Sequence, residues 1–282
     1  MVVRYDEIMN QQSSTRTTDD DLLELPFIQD YSQFALQMNF RAIVPLLKAA
    51  RATSDSIERK SICLSGKQFL YSSYEDFAIL LNAFRNRSSG KHLHLTIGVE
   101  DQGRKGSTTV PSILKRYDSI RQILDDYGFS SLTDDKISQY YNIPTDKLEN
   151  HFRDVADSLR IIGEDQETAN DYKNKLKHGK PVLEDGPKRP NPDYVLFPRW
   201  SGQDGSPVLE YHWMNASLEQ LETATILVAK IYRSSLDLLG LFVLNYYPDQ
   251  VGDFLHKMVL PCGNECAELV SALGLHSKGL TM

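Results

Sequence analysis

The feature that most constrains the fold is a long apolar run in the C-terminal half of the chain, from Ala216 to about Tyr247. Its core, ATILVAKIYRSSLDLLGLFVLNYY, is apolar around most of a helix circumference. Such a helix must be covered on nearly all sides, in the centre of a bundle or at a dimer seam. Lys230, Arg233 and Asp237 interrupt the run, so it lacks the roughly 18 uninterrupted apolar residues of a membrane span. The sequence therefore predicts a helix that is buried either in the centre of a bundle or at a dimer seam, and it predicts no membrane segment.

Helical patterns dominate the rest of the chain as well. Apolar residues recur at mixed three- and four-residue spacing, and Ser, Thr, Gly and Pro stand where helices would begin or end. The predicted helical segments are residues 27–54 with a kink or boundary at Pro45, 71–90, 110–128, 131–163 with a turn at NIP, and 166–179.

Two stretches favour β-structure. DYVLFPRW and VLEYHWM are separated by SGQDGSP, whose Gly and Asp residues suit a turn, and this predicts an antiparallel hairpin. KHLHLTIGVE alternates His92 and His94 with leucines, which predicts a short strand. The expected fold class is therefore mainly α: a helical bundle with one inserted antiparallel β-hairpin before a long helix in the C-terminal half.

Composition sets the domain plan and excludes some functions. The chain has 282 residues and a net charge of −7, which disfavours unspecific wrapping of nucleic acid. Residues 1–25 are polar, which predicts a flexible N-terminal segment. Residues 26–282 are predicted to form a single helical domain with a sub-boundary near 98–109. Cys63, Cys262 and Cys266 are an odd set of cysteines without a secretory signal, which favours the reducing cytoplasm. Cys262 and Cys266 lack a further Cys or His pair at zinc-site spacing, so no metal is expected.

A basic segment, NDYKNKLKHGKP, stands out in this acidic chain. One interpretation is the end of a helix, where cationic side chains complement the helix dipole and Gly179 stops the helix. The other is a phosphate site, because Asn174 and His178 share a helix face and Lys173 borders it. Histidine can transfer protons near neutral pH, and lysine can stabilise charge on a phosphoryl oxygen.

KNKLKHG resembles the motif of HEPN-domain proteins, which is Arg, four to six residues and His, often with Asn after the Arg and Gly after the His. The resemblance implies a helical HEPN-like part over about 110–250 and a metal-independent ribonuclease of a bacterial defence or toxin–antitoxin type, with no cofactor and with two copies forming one cleft. It implies catalytic roles for Lys173, Asn174 and His178. The RNA- or phosphate-binding residues would be Lys175, Lys177 and Lys180.

The chain departs from that motif at Lys173, because lysine lacks the planar fork with which arginine holds a phosphate. A non-catalytic interaction module that binds a phosphate, a nucleotide or a protein partner is therefore the alternative. A second match has the correct arginine. FRNRSSGKHLH places Arg85, Asn86 and Arg87 before His92, although two serines and Gly90 interrupt the helix there. The purely structural interpretation of this match is a helix end followed by an edge strand.

Two further patterns could indicate nucleic-acid binding, but we prefer a purely structural interpretation of each. TDDKISQYYNIPTDKLENHF has the rhythm of a DNA-reading helix-turn-helix, yet its second helix is rich in Asp and Glu, which suits phosphates poorly. A helix-turn-helix regulator is therefore the third candidate function, behind a plain helical hairpin. The hairpin aromatics could stack on bases, but cross-strand packing explains them more simply.

Overall fold

The computed structural model describes residues 16–97, 120–129, 131–142, 144–148, 160, 193–201 and 208–275. Within these, the α-helices in chain order are α1 (Arg16–Asp30), α2 (Gln37–Ala52), α3 (Ser56–Ser88), α4 (Leu93–Thr96), α5 (Ile120–Asp126), α6 (Asp134–Tyr141), α7 (Leu218–Tyr246), α8 (Val251–Phe254) and α9 (Leu260–Ala272). The strands are β1 (Tyr194–Ser201) and β2 (Val208–Asn215). The expected class, mainly α with one hairpin before the long helix, is confirmed.

Helix α7 is the predicted central helix, and its 29 residues span about 44 Å. Ser217 caps its first turn, because its hydroxyl accepts a hydrogen bond from the Gln220 amide at 3.3 Å. Its side chains are buried around most of the circumference, and the buried set includes Asp237. The three polar interruptions of the apolar run therefore lie on a helix in the protein core.

Helices α2 and α3 pack on α7 and on each other. Phe40 of α2 stacks on Tyr232 with ring centroids 6.0 Å apart, and Phe84 of α3 stacks on Phe242 at 5.5 Å. Gly66 lets α3 approach α7 closely, since a Cβ atom there would lie 2.1 Å from the Leu221 Cδ1 atom. This three-helix contact forms the main part of the core.

Helix α3 begins earlier than the sequence predicted. Its N-cap is Asp55, whose carboxylate accepts from the Ile57 amide at 2.8 Å and from the Glu58 amide at 2.9 Å. The serines that were expected to begin a helix at residue 71 lie inside α3. The Ser73 hydroxyl donates back to the Phe69 carbonyl at 2.9 Å, which is a bond available only within a continuing helix.

Helix α1 overlaps the N-terminal segment that was assigned to residues 1–25. Residues 16–25 belong to α1, and Glu24 within that range is fully buried. Residues 1–15 lie outside the described residues. A π-helical segment, Tyr31–Leu36, joins α1 to α2, and α2 continues through Pro45 instead of ending there.

The hairpin forms where it was expected. Strands β1 and β2 pair antiparallel, with Val195 opposite Met214 and Leu196 opposite Trp213. Val195, Leu196 and Met214 are buried. The Ala216 amide donates to the Asp193 carbonyl at 2.7 Å, which closes the open end of the hairpin directly before α7.

The strand predicted at 91–100 is wrong over its described part, because residues 93–96 form the single turn of α4. Leu93 and Thr96, three residues apart, are the buried positions of this turn. A lone strand would need a partner strand for its amides, whereas here the carboxylate of Glu24 accepts from the first helical amide, that of Leu93. A distant capping group decides the local structure.

Helix α6 packs against the core and is followed by a turn. Ile137 and Leu148 are both buried, and Asn142 makes the turn in a left-handed conformation with φ 52°. Residues 149–159, which would supply most of a DNA-reading helix, lie outside the described residues. Among the described helices, none combines the length and the apolar character that crossing a membrane requires.

Candidate functional site

The structure describes one of the two sequence motifs in full, and the other lies outside the described residues. The residues of the basic segment, Lys173, Asn174, Lys175, Lys177, His178 and Lys180, lie outside the described residues. The same holds for the sub-boundary at 98–109 and for much of the HEPN-like range 110–250. The second motif, Arg85 to His92, is described in full, and the candidate site is built from it.

The three motif residues of α3 lie in its last turn, and the helix ends at Ser88. The Asn86 carbonyl accepts from the amides of Ser89 and Lys91, at 3.1 Å in both cases. Gly90 adopts φ +89°, a conformation that suits glycine, and so reverses the chain. The interruption by two serines and Gly90 is therefore a tight turn, and it carries His92 to a place beside the end of α3.

One buried carboxylate gathers the motif residues. The Glu24 Oε2 atom accepts from Arg87 Nε at 3.2 Å, faces His92 Nδ1 at 3.2 Å and accepts from the Tyr247 hydroxyl at 2.5 Å. The Glu24 Oε1 atom accepts from the Leu93 amide. Helix α1 is thus joined to the end of α3, to α4 and to the end of α7 through a single side chain.

Rings surround this carboxylate cluster, which we define as Glu24, Arg87, His92 and Tyr247. The Arg87 guanidinium carbon lies 4.6 Å from the centre of the Tyr246 ring, a cation–π contact. His94 lies beside His92 with ring centroids 5.7 Å apart. The aromatic packing lowers the local polarity, so the ionic contacts of the cluster are stronger than they would be in water.

Arg85 has a different place. Its guanidinium carbon lies over the Tyr127 ring, 5.5 Å from the centroid, and this contact ties α3 to the residue after α5. Asn86 contributes its carbonyl to the turn, as described above. Of the residues in the second motif, Arg87 and His92 are therefore the pair that the fold brings onto one group.

The cluster lies below the surface without being sealed from it. Glu24 has no exposed surface, whereas the side chains of His92 and Arg87 are 11% and 15% exposed. A histidine held by a carboxylate at Nδ1 transfers protons through Nε2, and an arginine beside it can neutralise a developing oxyanion. The same contacts would also serve as a purely structural connection between helices, because a paired buried charge fixes a unique arrangement.

Two members of the cluster, Glu24 and Tyr247, were not predicted from the sequence. Glu24 lay in the range expected to be flexible, and Tyr247 was the expected end of a core helix. One signal could have revealed Glu24: it is the acidic residue inside the apolar stretch LLELPFI, where it falls on the face that a helix would bury. No comparable pattern marks Tyr247.

A second ionic pair lies on α7, between Arg233, whose side chain is 43% exposed, and the buried Asp237. The Arg233 Nε atom is 3.6 Å from the Asp237 Oδ2 atom. Burial raises the pKa of Asp237 to about 6, and the nearby Arg233 opposes that rise. Tyr140 of α6 packs over this region, since a Cβ atom at Gly240 would lie 1.7 Å from its hydroxyl oxygen. The buried Asp237 and Tyr140 therefore contribute to the packing of α6 on α7.

The three cysteines are all free and buried. Burial raises the pKa of Cys63 to about 11 and that of Cys266 to about 12. A thiol must lose its proton to act as a nucleophile or metal ligand, and the thiols of Cys63 and Cys266 resist that loss. Across the described ranges, no group of three or more His, Cys, Asp or Glu residues is placed to hold a metal ion.

Comparisons of the chain with protein-family models, with curated proteins and with solved structures give no match. The HEPN resemblance consequently depends on the two motifs and on the helical context.

Proposed function

We propose that this chain is a HEPN-like endoribonuclease that needs no metal ion, acting as a homodimer in a bacterial cytoplasmic defence or toxin–antitoxin type system. The observation that carries the proposal is the convergence of Arg87 and His92. They are separated by four residues, as in the HEPN motif, and both lie 3.2 Å from the Glu24 carboxylate. A histidine, an arginine and a carboxylate together can catalyse the cleavage of a phosphodiester bond through proton transfer and charge stabilisation.

The reaction uses the RNA's own 2′-hydroxyl as nucleophile. A histidine nitrogen takes the proton of that hydroxyl, and the oxygen attacks the adjacent phosphorus. A cationic side chain stabilises the extra negative charge, and the 5′-oxygen leaves with a proton from an imidazolium. The products are a 2′,3′-cyclic phosphate and a 5′-hydroxyl, so the proton count balances without water or a cofactor.

Two residue sets compete for this role. The first is Lys173, Asn174 and His178, with phosphate contacts from neighbouring lysines. The second is Arg87 with His92, which has the arginine that the first set lacks. The Arg87 guanidinium faces Glu24 through its Nε atom. The two sets predict different inactive variants.

The test compares the wild type with His178→Ala and His92→Gln on mixed structured RNAs in the presence of EDTA. Fragment ends are mapped, and the fold of each variant is checked by circular dichroism. Cleavage that leaves 2′,3′-cyclic ends and is lost in one histidine variant supports the proposal and identifies the centre. His256→Ala is the matched control, because His256 is exposed and lies outside both motifs. Equal cleavage by all four proteins would point to a contaminating ribonuclease and would contradict the proposal.

The second candidate is a non-catalytic module that binds a phosphate, a nucleotide or a protein partner. The low exposure of His92, 8% for the whole residue, favours it, because a buried histidine tied to a carboxylate serves packing well. Lys173 in place of arginine is consistent with the same conclusion. In that case RNA stays intact with every protein, and phosphate-dependent binding is lost when Lys173, Lys175, Lys177 and Lys180 are changed together to Gln.

A further inference from the structure

The Glu24 carboxylate faces four potential donors, and this decides which proton His92 carries. Three of them donate by their nature: the guanidinium Nε–H of Arg87, the backbone N–H of Leu93 and the hydroxyl of Tyr247. Each places a hydrogen toward a Glu24 oxygen. The fourth group is His92 Nδ1, which can be a donor or an acceptor depending on the tautomer.

An Nδ1 lone pair directed at a carboxylate oxygen would be repelled by it, whereas an N–H would be attracted. We infer that Glu24 is a positioning residue that holds His92 as the Nδ1–H tautomer and so assigns proton transfer to Nε2. Three neighbours fix the carboxylate itself. Tyr247 follows the last residue of α7, so the central helix contributes directly to this orientation. The catalytic consequence depends on the proposed ribonuclease function, whereas the tautomer does not.

The consequence for RNA cleavage follows from the proton balance. In the first step Nε2 takes the proton of the 2′-hydroxyl while Nδ1 keeps its own, which yields an imidazolium. That positive charge forms 3.2 Å from the Glu24 Oε2 atom, which stabilises it. The same Nε2 proton passes to the leaving 5′-oxygen, and the neutral Nδ1–H form is restored.

The tautomer can be read directly in the wild-type protein. The full chain is labelled with ¹⁵N at histidine, and long-range ¹H–¹⁵N correlation spectra are recorded above pH 8. The signals of His92 are assigned by their loss in His92→Gln, among seven histidines in all. A proton on Nδ1 and none on Nε2 is the expected result. A His92 with its proton on Nε2 would overturn the inference, whatever the enzyme does.

Kinetics test the role of that tautomer. Glu24→Gln keeps the shape of the side chain and removes its charge, so kcat for RNA should fall about 10- to 100-fold while KM changes little. The pH–rate profile should also change, because the imidazolium loses its counter-charge. A merely structural role would leave the profile as it is in the wild type. Tyr247→Phe keeps the carboxylate and should show a smaller loss with the profile unchanged.

The outcomes separate the two proposals. If the wild type cleaves no RNA, the proposed function fails, and the tautomer measurement still decides the inference. If cleavage depends on His92 but Glu24→Gln retains both kcat and the pH profile, the inference fails and the function stands. If circular dichroism shows that Glu24→Gln is unfolded, the inference is tested by the tautomer of His92 in the wild type and by the kinetics of Glu24→Asp, which keeps the negative charge.

Discussion

Replacing Glu24 by alanine should be among the most destabilising single changes in this protein. The substitution leaves the Arg87 guanidinium, the Tyr247 hydroxyl and the Leu93 amide without their carboxylate. Removing one partner of a buried ion pair costs about 3–5 kcal/mol, because the remaining charge stays desolvated. The Arg87 side chain is 15% exposed, so water can reach it in part, and the cost should lie near the lower end of that range.

Urea unfolding followed by far-ultraviolet circular dichroism measures this loss. Asp253→Ala is the matched control, because Asp253 also accepts from a cation, Lys257, and at a shorter distance of 2.6 Å. Those two side chains are 68% and 73% exposed, so solvent screens the pair and its removal should not measurably change the free energy of unfolding. The contrast tests whether burial, not distance, sets the strength of the interaction.

A double variant tests the stated cause. Glu24→Ala together with Arg87→Met removes both charges, so part of the lost stability should return. Two results would refute the reasoning: a Glu24→Ala protein as stable as the control variant, or a double variant that loses the sum of the two single effects. Either would mean that the desolvated charge of Arg87 is not the main cost.

Three further changes probe the packing around α7. Gly66→Ala should cost about 1–3 kcal/mol in urea unfolding through its clash with Leu221, and Leu221→Ala in the same chain should make Gly66→Ala less costly than it is alone. Gly240→Ala should destabilise for a like reason, because the Tyr140 hydroxyl occupies the space of the new methyl group, and Tyr140→Ala should suppress that cost although it lowers stability itself. Burial raises the pKa of Asp237 to about 6, so between about pH 4 and 6 the folded state holds a proton that the unfolded state has released. The stabilisation that this proton provides is complete below pH 4 and is lost as the pH rises through 6. Asp237→Asn should flatten this part of the stability–pH curve, by at most about 3 kcal/mol between pH 4 and 8, and an unchanged curve would contradict the assignment.

The sequence was sufficient for elements whose signals are local. The long apolar run predicted α7 to within two residues at each end, and the turn residues between two aromatic stretches predicted the hairpin. It failed at residues 91–97, where alternation of His92 and His94 with leucines suggested a strand. The deciding contact there is the Glu24 carboxylate on the Leu93 amide, between residues 69 positions apart, and no local pattern encodes it.

The candidate site divides in the same way. Arg87 and His92 share one turn, so their spacing was visible in the sequence. The carboxylate that unites them comes from α1, and Tyr247 joins it from 223 residues further along the chain. Such a meeting depends on how α1, α3 and α7 pack, and packing of three helices cannot be read from their separate periodicities. Burial of Glu24 was less hidden, because the apolar stretch LLELPFI around it marks the face that a helix would bury.

The carboxylate cluster can be a purely structural connection or a device that positions His92, and these two interpretations require different properties of Glu24. A purely structural connection requires only that its donors be satisfied, so activity and stability should fall together and recover together at lower temperature. A positioning role requires more, namely that His92 present Nε2 and that a negative charge lie behind its Nδ1. Glu24→Gln can still accept hydrogen bonds through its amide oxygen, so it preserves much of the first demand while failing the second. A folded Glu24→Gln protein with lost cleavage and a changed pH–rate profile would therefore show that Glu24 acts in proton transfer. A folded and fully active one would show that Glu24 only connects α1 to the core.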